Sequence, residues 1–336
     1  MVDEQPSCYH HDACYIRRVQ AITGEFVLSF GSRGAGLGQF IMLRGLSLTQ
    51  DEMHLLVCDE GNNRVVVADV RDGRCLRSLQ GPAGTLDAPM QAIVVPQTGQ
   101  VLVVDYSRCR VVVFAGVYDD TVVRTLGDGQ GHGPRQLSFP YGVAVLDGDL
   151  ADSAAPDGPV AVVADTANKR LALWCVHDGT LVRHVGSEGA APGQFYYPTV
   201  VAVVPARTSG NDEAYFVVLD AHNRRVQVLT RTGSVVRILQ DDAVVELSSY
   251  LYGVTVCVAT GEVLLTDTDN HRVVSWRIAD GGGLRVVCGW VEGMESADSD
   301  VEPDTGLFNG PWGVAVSGDG ALWVADSSNH RLCLFR

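Results

Sequence analysis

The stretch Leu265-Thr266-Asp267-Thr268-Asp269-Asn270-His271-Arg272-Val273 decides the fold, because the chain writes its pattern six times. An apolar pair runs into an aspartate, an asparagine follows three residues later and an arginine five residues later, and an apolar run then resumes. The copies begin at Asp59, Asp105, Asp165, Asp220, Asp267 and Asp326. Their asparagines are Asn62, Asn168, Asn223, Asn270 and Asn329, with Arg108 in that place in the second copy. Their arginines are Arg64, Arg110, Arg170, Arg225, Arg272 and Arg331.

A length of 336 residues, divided at intervals of 46 to 60, indicates one closed array of six units rather than two unrelated domains. Although 46% of the residues are apolar, no uninterrupted run approaches the ~18 residues of a membrane-spanning helix. The start, Met1-Val2-Asp3-Glu4-Gln5-Pro6, lacks the basic-then-apolar order of a secretory leader, so a cytoplasmic protein without a membrane partner is expected. The formal charge of −15 opposes non-specific attraction to nucleic acid, though a local arginine patch would be compatible with it. Lys169 is the only lysine and reads as composition bias. Nine cysteines without a CxxC pair read as reduced thiols. Cys8, His10, His11, Asp12 and Cys14 suggest a metal cluster, but no second half follows at a zinc-site spacing, so residues 1–14 are expected to be a flexible segment.

Each Asp-ended run is followed by a hairpin whose turn carries Gly, as in Arg71-Asp72-Gly73, His177-Asp178-Gly179 and Arg231-Thr232-Gly233. A Gly-rich link then leads into a run of small residues, clearest in Phe139-Pro140-Tyr141-Gly142-Val143-Ala144-Val145 and Gly310-Pro311-Trp312-Gly313-Val314-Ala315-Val316. Strands that converge on an axis leave little room for side chains, so this run is expected innermost and the Asp-ended run next outward. The last unit offers three runs, Val314–Ser317, Ala321–Asp326 and Arg331–Arg336. The missing fourth strand is expected from Glu25–Phe30, which would close the ring and remove its free edges.

These residues resemble the NHL-repeat family of β-propellers. The resemblance rests on Asp267-x-x-Asn270-His271-Arg272-Val273 and Asp326-x-x-Asn329-His330-Arg331-Leu332, on Gly38-Gln39-Phe40 and Gly193-Gln194-Phe195, and on the Pro140 and Pro311 strand starts. It implies an all-β, six-bladed propeller over residues 15–336, with four-stranded antiparallel blades. Leu43-Arg44-Gly45 and Leu251-Tyr252-Gly253 lack the proline, Pro89-Met90-Gln91 and Pro198-Thr199-Val200 lack the glycine, and Arg108 replaces an asparagine. Six-bladed relatives serve as partner-binding platforms, as RNA-binding or ubiquitin-pathway adaptors, and as metal-assisted lyases or hydrolases, so the residues must choose.

A set needed identically in every unit is read as structural: Asp accepts turn amides or the Arg fork, and Asn takes the left-handed turn position. The residue at the start of each inner strand discriminates better. These are Arg44, Met90, Tyr141, Thr199, Tyr252 and Trp312. They hold no carboxylate or imidazole for a metal, and have the composition of a protein-binding hot spot or of a plug for the channel mouth. The glycine clusters at 34–38 and 127–133 lack the strand-to-helix setting of phosphate loops. The acidic tract Glu292, Glu295, Asp298, Asp300, Glu302, Asp304 has Pro303 where a calcium loop turns, and reads as solvated. No nucleophile elbow, zinc-protease motif or RING-type cysteine array is written in the chain.

The expectation is a non-enzymatic scaffold without cofactor, binding a protein or peptide through Arg44, Met90, Tyr141, Tyr252 and Trp312. These would share one face with the acidic tract, which would steer a basic apolar segment. The insertions Asp147–Pro159 and Pro205–Glu213 would decorate the other face.

Overall fold

The computed structural model describes residues 16–19, 26–30, 32–146, 158–205, 214–240, 246–258, 260–278, 284–289 and 308–328. They build six four-stranded antiparallel sheets. Five are made of consecutive strands, running from the axis outward. In the first these are Leu43–Leu48, His54–Asp59, Arg64–Asp69 and Cys75–Leu79. The next four blades begin at Pro89, Val143, Pro198 and Leu251. The sixth is shared between the chain ends. Pro311–Val316 and Leu322–Asp326 are its inner strands, and Ile16–Val19 and Phe26–Phe30 its outer ones. Inner strands meet their neighbours all the way round, the last touching the first.

That sixth blade corrects one expectation. Ile16–Val19 takes the third position itself, with Arg17 opposite Val324 and Val19 opposite Leu322. The N-terminus therefore contributes two strands, not one. A hairpin brings its outer edge with it and covers two positions at once, which a lone C-terminal run cannot do. Arg331–Arg336, Asn329 and residues 1–14 lie outside the described residues.

In the five blades of consecutive strands the two middle strands read as largely apolar runs because both faces of the sheet are covered. Leu55 and Val57 point into the cluster shared with the sixth blade and Trp323, while Leu56 and Cys58 point into the cluster shared with Val101 and Val103 of the second. Alternate side chains thus serve two interfaces, the period of two of a β-strand. Arginines on outer strands tie neighbours at the rim: Arg77 donates to the Tyr118 carbonyl and Arg183 to the Arg231 carbonyl.

At the axis the backbones themselves touch. A Cβ added at Gly313 would sit 2.5 Å from the Arg44 carbonyl oxygen, and one at Gly253 would sit 2.3 Å from that of Trp312. The inner glycines are required by this approach, not by a left-handed backbone. Gly313→Ala is expected to destabilise the protein by about 1–3 kcal/mol, as overpacking does. Urea denaturation measures it, and an unchanged midpoint would mean that the axis has slack.

Candidate partner-binding face

The repeat residues settle the geometry of one face. Each Asp faces its Arg across the turn between the second and third strands, as in the pairs Asp59 with Arg64, Asp165 with Arg170 and Asp267 with Arg272. Asp59 is wholly buried. Its Oδ1 accepts the Ile41 amide at 2.7 Å, and its Oδ2 accepts Asn62 Nδ2 and Arg64 Nε, both at 2.8 Å. Arg64 then spends its remaining donors on the carbonyls of Ala35, Gly36 and Gln39 in the incoming link. Asp165 repeats the arrangement with the Ser138 amide, Asn168 and Arg170, and Asp220 with the Tyr196 amide, Asn223 and Arg225. The set pins the link to the turn, so the entrance to every inner strand lies on the same face.

Asn does not take the left-handed position. That falls one residue later, at Asn63, Cys109, Lys169, Arg224 and His271, with φ between 50° and 54°. The asparagine amide is spent on the aspartate and on a link carbonyl, Gly34 in the first copy and Gly131 in the third. The second copy, with Arg108, lacks that bond, and Arg110 is the most exposed of the described repeat arginines at 25%. Burial pushes Asp59 and Asp105 above the usual carboxylate range, against the hydrogen bonds that lower them.

Around the channel mouth the residues expected from sequence form a stack. The Arg44 guanidinium lies 3.9 Å over the Trp312 ring, while its Nε donates to Glu60 Oε2 at 2.5 Å. Trp312 stacks on Tyr252 at 3.7 Å and 3°, and Tyr252 faces Tyr141 at 5.9 Å and 18°. Met90 and Thr199 are buried instead, and the Thr199 hydroxyl donates to the Leu251 carbonyl. Below the stack, a cavity of about 20 Å³ has Gln91 and Met90 in its wall. Gln91, in one of the two blades without the inner glycine, reaches to the neighbouring blade and accepts the Val143 amide at 2.9 Å.

Further rings extend this stack. Tyr106 packs on Tyr141 and on Phe139, Tyr197 stacks on His222 at 4.4 Å and 9°, and Tyr250 leans on Tyr252. Burial first, and neighbouring phenols second, raise the pKa of Tyr141, and burial raises that of Tyr252 to about 12, so both hydroxyls stay protonated donors.

A second geometric feature marks the same face. The residue two before a mouth residue is left-handed in five blades: Met42, Ala88, Phe139, Tyr197 and Gly310. Gly310 shows what that backbone prefers. Met42 and Phe139 are held there with exposed side chains, and Tyr250, at the corresponding place in the fifth blade, is 47% exposed.

Among the described residues, no three of His, Cys, Asp and Glu are grouped to hold a metal, and no helix is long and apolar enough to cross a membrane. The acidic tract Glu292–Asp304 and most of both long insertions lie outside the described residues.

The ring and its pinned turns define a β-propeller. Residues 308–335 match the family model of the NHL repeat, and the described residues fold as a β-propeller. No curated protein matches it in sequence. Among solved structures it is similar to a structural genomics protein of unknown function from Bacteroides thetaiotaomicron, at 17% identity and TM-score 0.62 over 95% of this chain and 74% of that one. It is also similar to virginiamycin B lyase from Staphylococcus aureus, at 14% identity and TM-score 0.54 over 85% and 78%. A third is hydrazine synthase of Kuenenia stuttgartiensis, at 14% identity and TM-score 0.54 over 87% and 76%. At these identities the likeness is one of fold.

Proposed function

We propose that the face carrying the inner-strand entrances is a docking platform for a peptide segment of a partner protein, with the propeller as its scaffold. The observation that carries this reading is the rim of bulky residues in left-handed conformation. A left-handed Met or Phe is strained by about 1–2 kcal/mol relative to glycine, and the sixth blade solves the same corner with Gly310. Such strain in residues whose apolar side chains point to solvent is characteristic of a working surface. The stacked rings inside this rim supply rigid amphipathic area, the material of binding hot spots. They also give the mouth a floor that does not depend on the partner.

A displayed library of random peptides, selected on the purified protein, tests the reading. Phe139→Ser with Tyr250→Ser is expected to weaken the selected peptides about tenfold or more, in line with the loss of two hot-spot side chains. Deleting residues 149–157, in the insertion between Val143–Leu146 and Val160–Asp165, is expected to leave them bound. The reverse pattern, or no selection at all, would remove the platform from this face.

A further inference from the structure

Three cations stand on this face where the repeat itself would place something else. Arg108 occupies the asparagine position of its copy. Its blade has no asparagine side chain on Asp105, which keeps the Arg110 Nε and the Asp87 backbone amide as partners. Lys169 and Arg224 occupy left-handed positions, with φ of 54° and 50°, where the first copy has Asn63. Asparagine tolerates that backbone better than either. Each cation therefore sits at a locally unfavourable place, and all three lie on the consecutive second, third and fourth blades. On a chain of net charge −15 they form a crescent of cations over three neighbouring blades, offset at Arg224 by Glu246. Among the described residues, Arg108 forms no ion pair, although its charge acts on Asp105, and Lys169 Nζ donates only to the Ala167 carbonyl; Arg224 holds the exposed Glu246 at 2.7 Å.

The rings beside the crescent present edges. Both faces of Trp312 are covered, by Arg44 and by Tyr252, and Tyr197 is closed on one side by His222. An aromatic edge carries the positive part of the ring quadrupole, and the phenols add O–H donors. Edges, hydroxyls and cations together suit anions and carbonyl oxygens. They do not suit the stacking of nucleobases, which needs free ring faces.

We propose that the peptide taken by this platform is acidic, its carboxylates lying across Arg108, Lys169 and Arg224 and its apolar side chains on the rim at Phe139. Asp269 is exposed on the fifth blade. A carboxylate there favours the acidic end of the bound segment over the second to fourth blades. This inference rests on the platform reading above and deepens it.

The defined probes are a labelled glutamate–tyrosine copolymer, a lysine–tyrosine copolymer and polyuridylate, measured by anisotropy at low and physiological salt. The glutamate–tyrosine copolymer is expected to bind, and Arg108→Gln with Lys169→Gln and Arg224→Gln to weaken it about tenfold without weakening the lysine–tyrosine copolymer. Arg108→Asn alone is expected to weaken it while raising the thermal midpoint by a few degrees, since the Asn–Asp bond returns. No binding of the acidic copolymer, or equal binding by the triple variant, overturns the charge assignment. So does tighter binding of polyuridylate that the triple variant loses. If library-selected peptides depend on Phe139 and Tyr250 but not on the three cations, the platform stands and the acidic partner falls. If the acidic copolymer depends on the cations but not on Phe139 and Tyr250, the apolar platform falls instead.

Discussion

Asp267→Ala is expected to lower stability by about 3–5 kcal/mol, the loss that follows when one member of a buried ion pair is removed. The carboxylate is fully buried, and it holds three donors: the Ser248 amide, Asn270 Nδ2 and Arg272 Nε, each at 2.9 Å. The arginine side chain is only 9% exposed, so its charge would be left without a carboxylate and with little solvent, keeping the Glu246 carbonyl as an acceptor. The pair itself need not be a large net source of stability, because desolvation opposes it. The cost comes from the donors left behind. The second copy is the internal control. Asp105 has no asparagine on it and its Arg110 is 25% exposed, so Asp105→Ala is expected to cost less by about 1 kcal/mol or more. Urea denaturation of both variants decides the matter. A loss below about 1 kcal/mol for Asp267→Ala would mean that the carboxylate behaves like a surface pair and that the pin between link and turn is not structural.

Much of this was legible in the sequence because a propeller repeats its constraints. Asp, Asn and Arg recur at fixed spacing since each link needs the same pin, and the apolar runs recur because each sheet is buried on both faces. The error over Asn62, Asn168, Asn223 and Asn270 arose from propensity. Asn is the residue expected in a left-handed turn, but here its amide has better partners, and the strained backbone passes to whatever follows. In the site, Tyr141, Tyr252 and Trp312 were legible because they share one phase of the repeat. Tyr106 and His222 lie one and two residues after a repeat Asp, and Phe139 and Tyr250 lie two before a mouth residue. Aromatics in three different phases converge only once the strands are folded. Gln91 was visible as a missing glycine, but its reach to Val143 of the neighbouring blade depends on how closely the inner strands approach.

Removing residues 1–31 is expected to do more damage than any single substitution. Among the described residues the sixth blade would keep only Pro311–Val316 and Leu322–Asp326, and two strands alone make a marginal sheet. The outer edge of Leu322–Asp326 would be left with unpaired backbone donors and acceptors, which is an invitation to aggregate. Trp323 packs in the cluster that joins the fifth, sixth and first blades, so the damage would reach the seam where the ring meets itself. The truncated chain is expected to melt at least ~10 °C lower and with reduced cooperativity, given that a protein of this size shifts by a few degrees per kcal/mol. The missing strands are contiguous and form their own hairpin, with Ile16 opposite Phe30 and Arg18 opposite Leu28. A synthetic peptide of residues 1–31 should therefore dock in trans and restore the midpoint in a concentration-dependent way. That second measurement separates the closure mechanism from general damage by truncation. If the truncated chain melts at an unchanged temperature, or if the peptide raises the midpoint of the intact protein equally, the N-terminal hairpin does not close the ring.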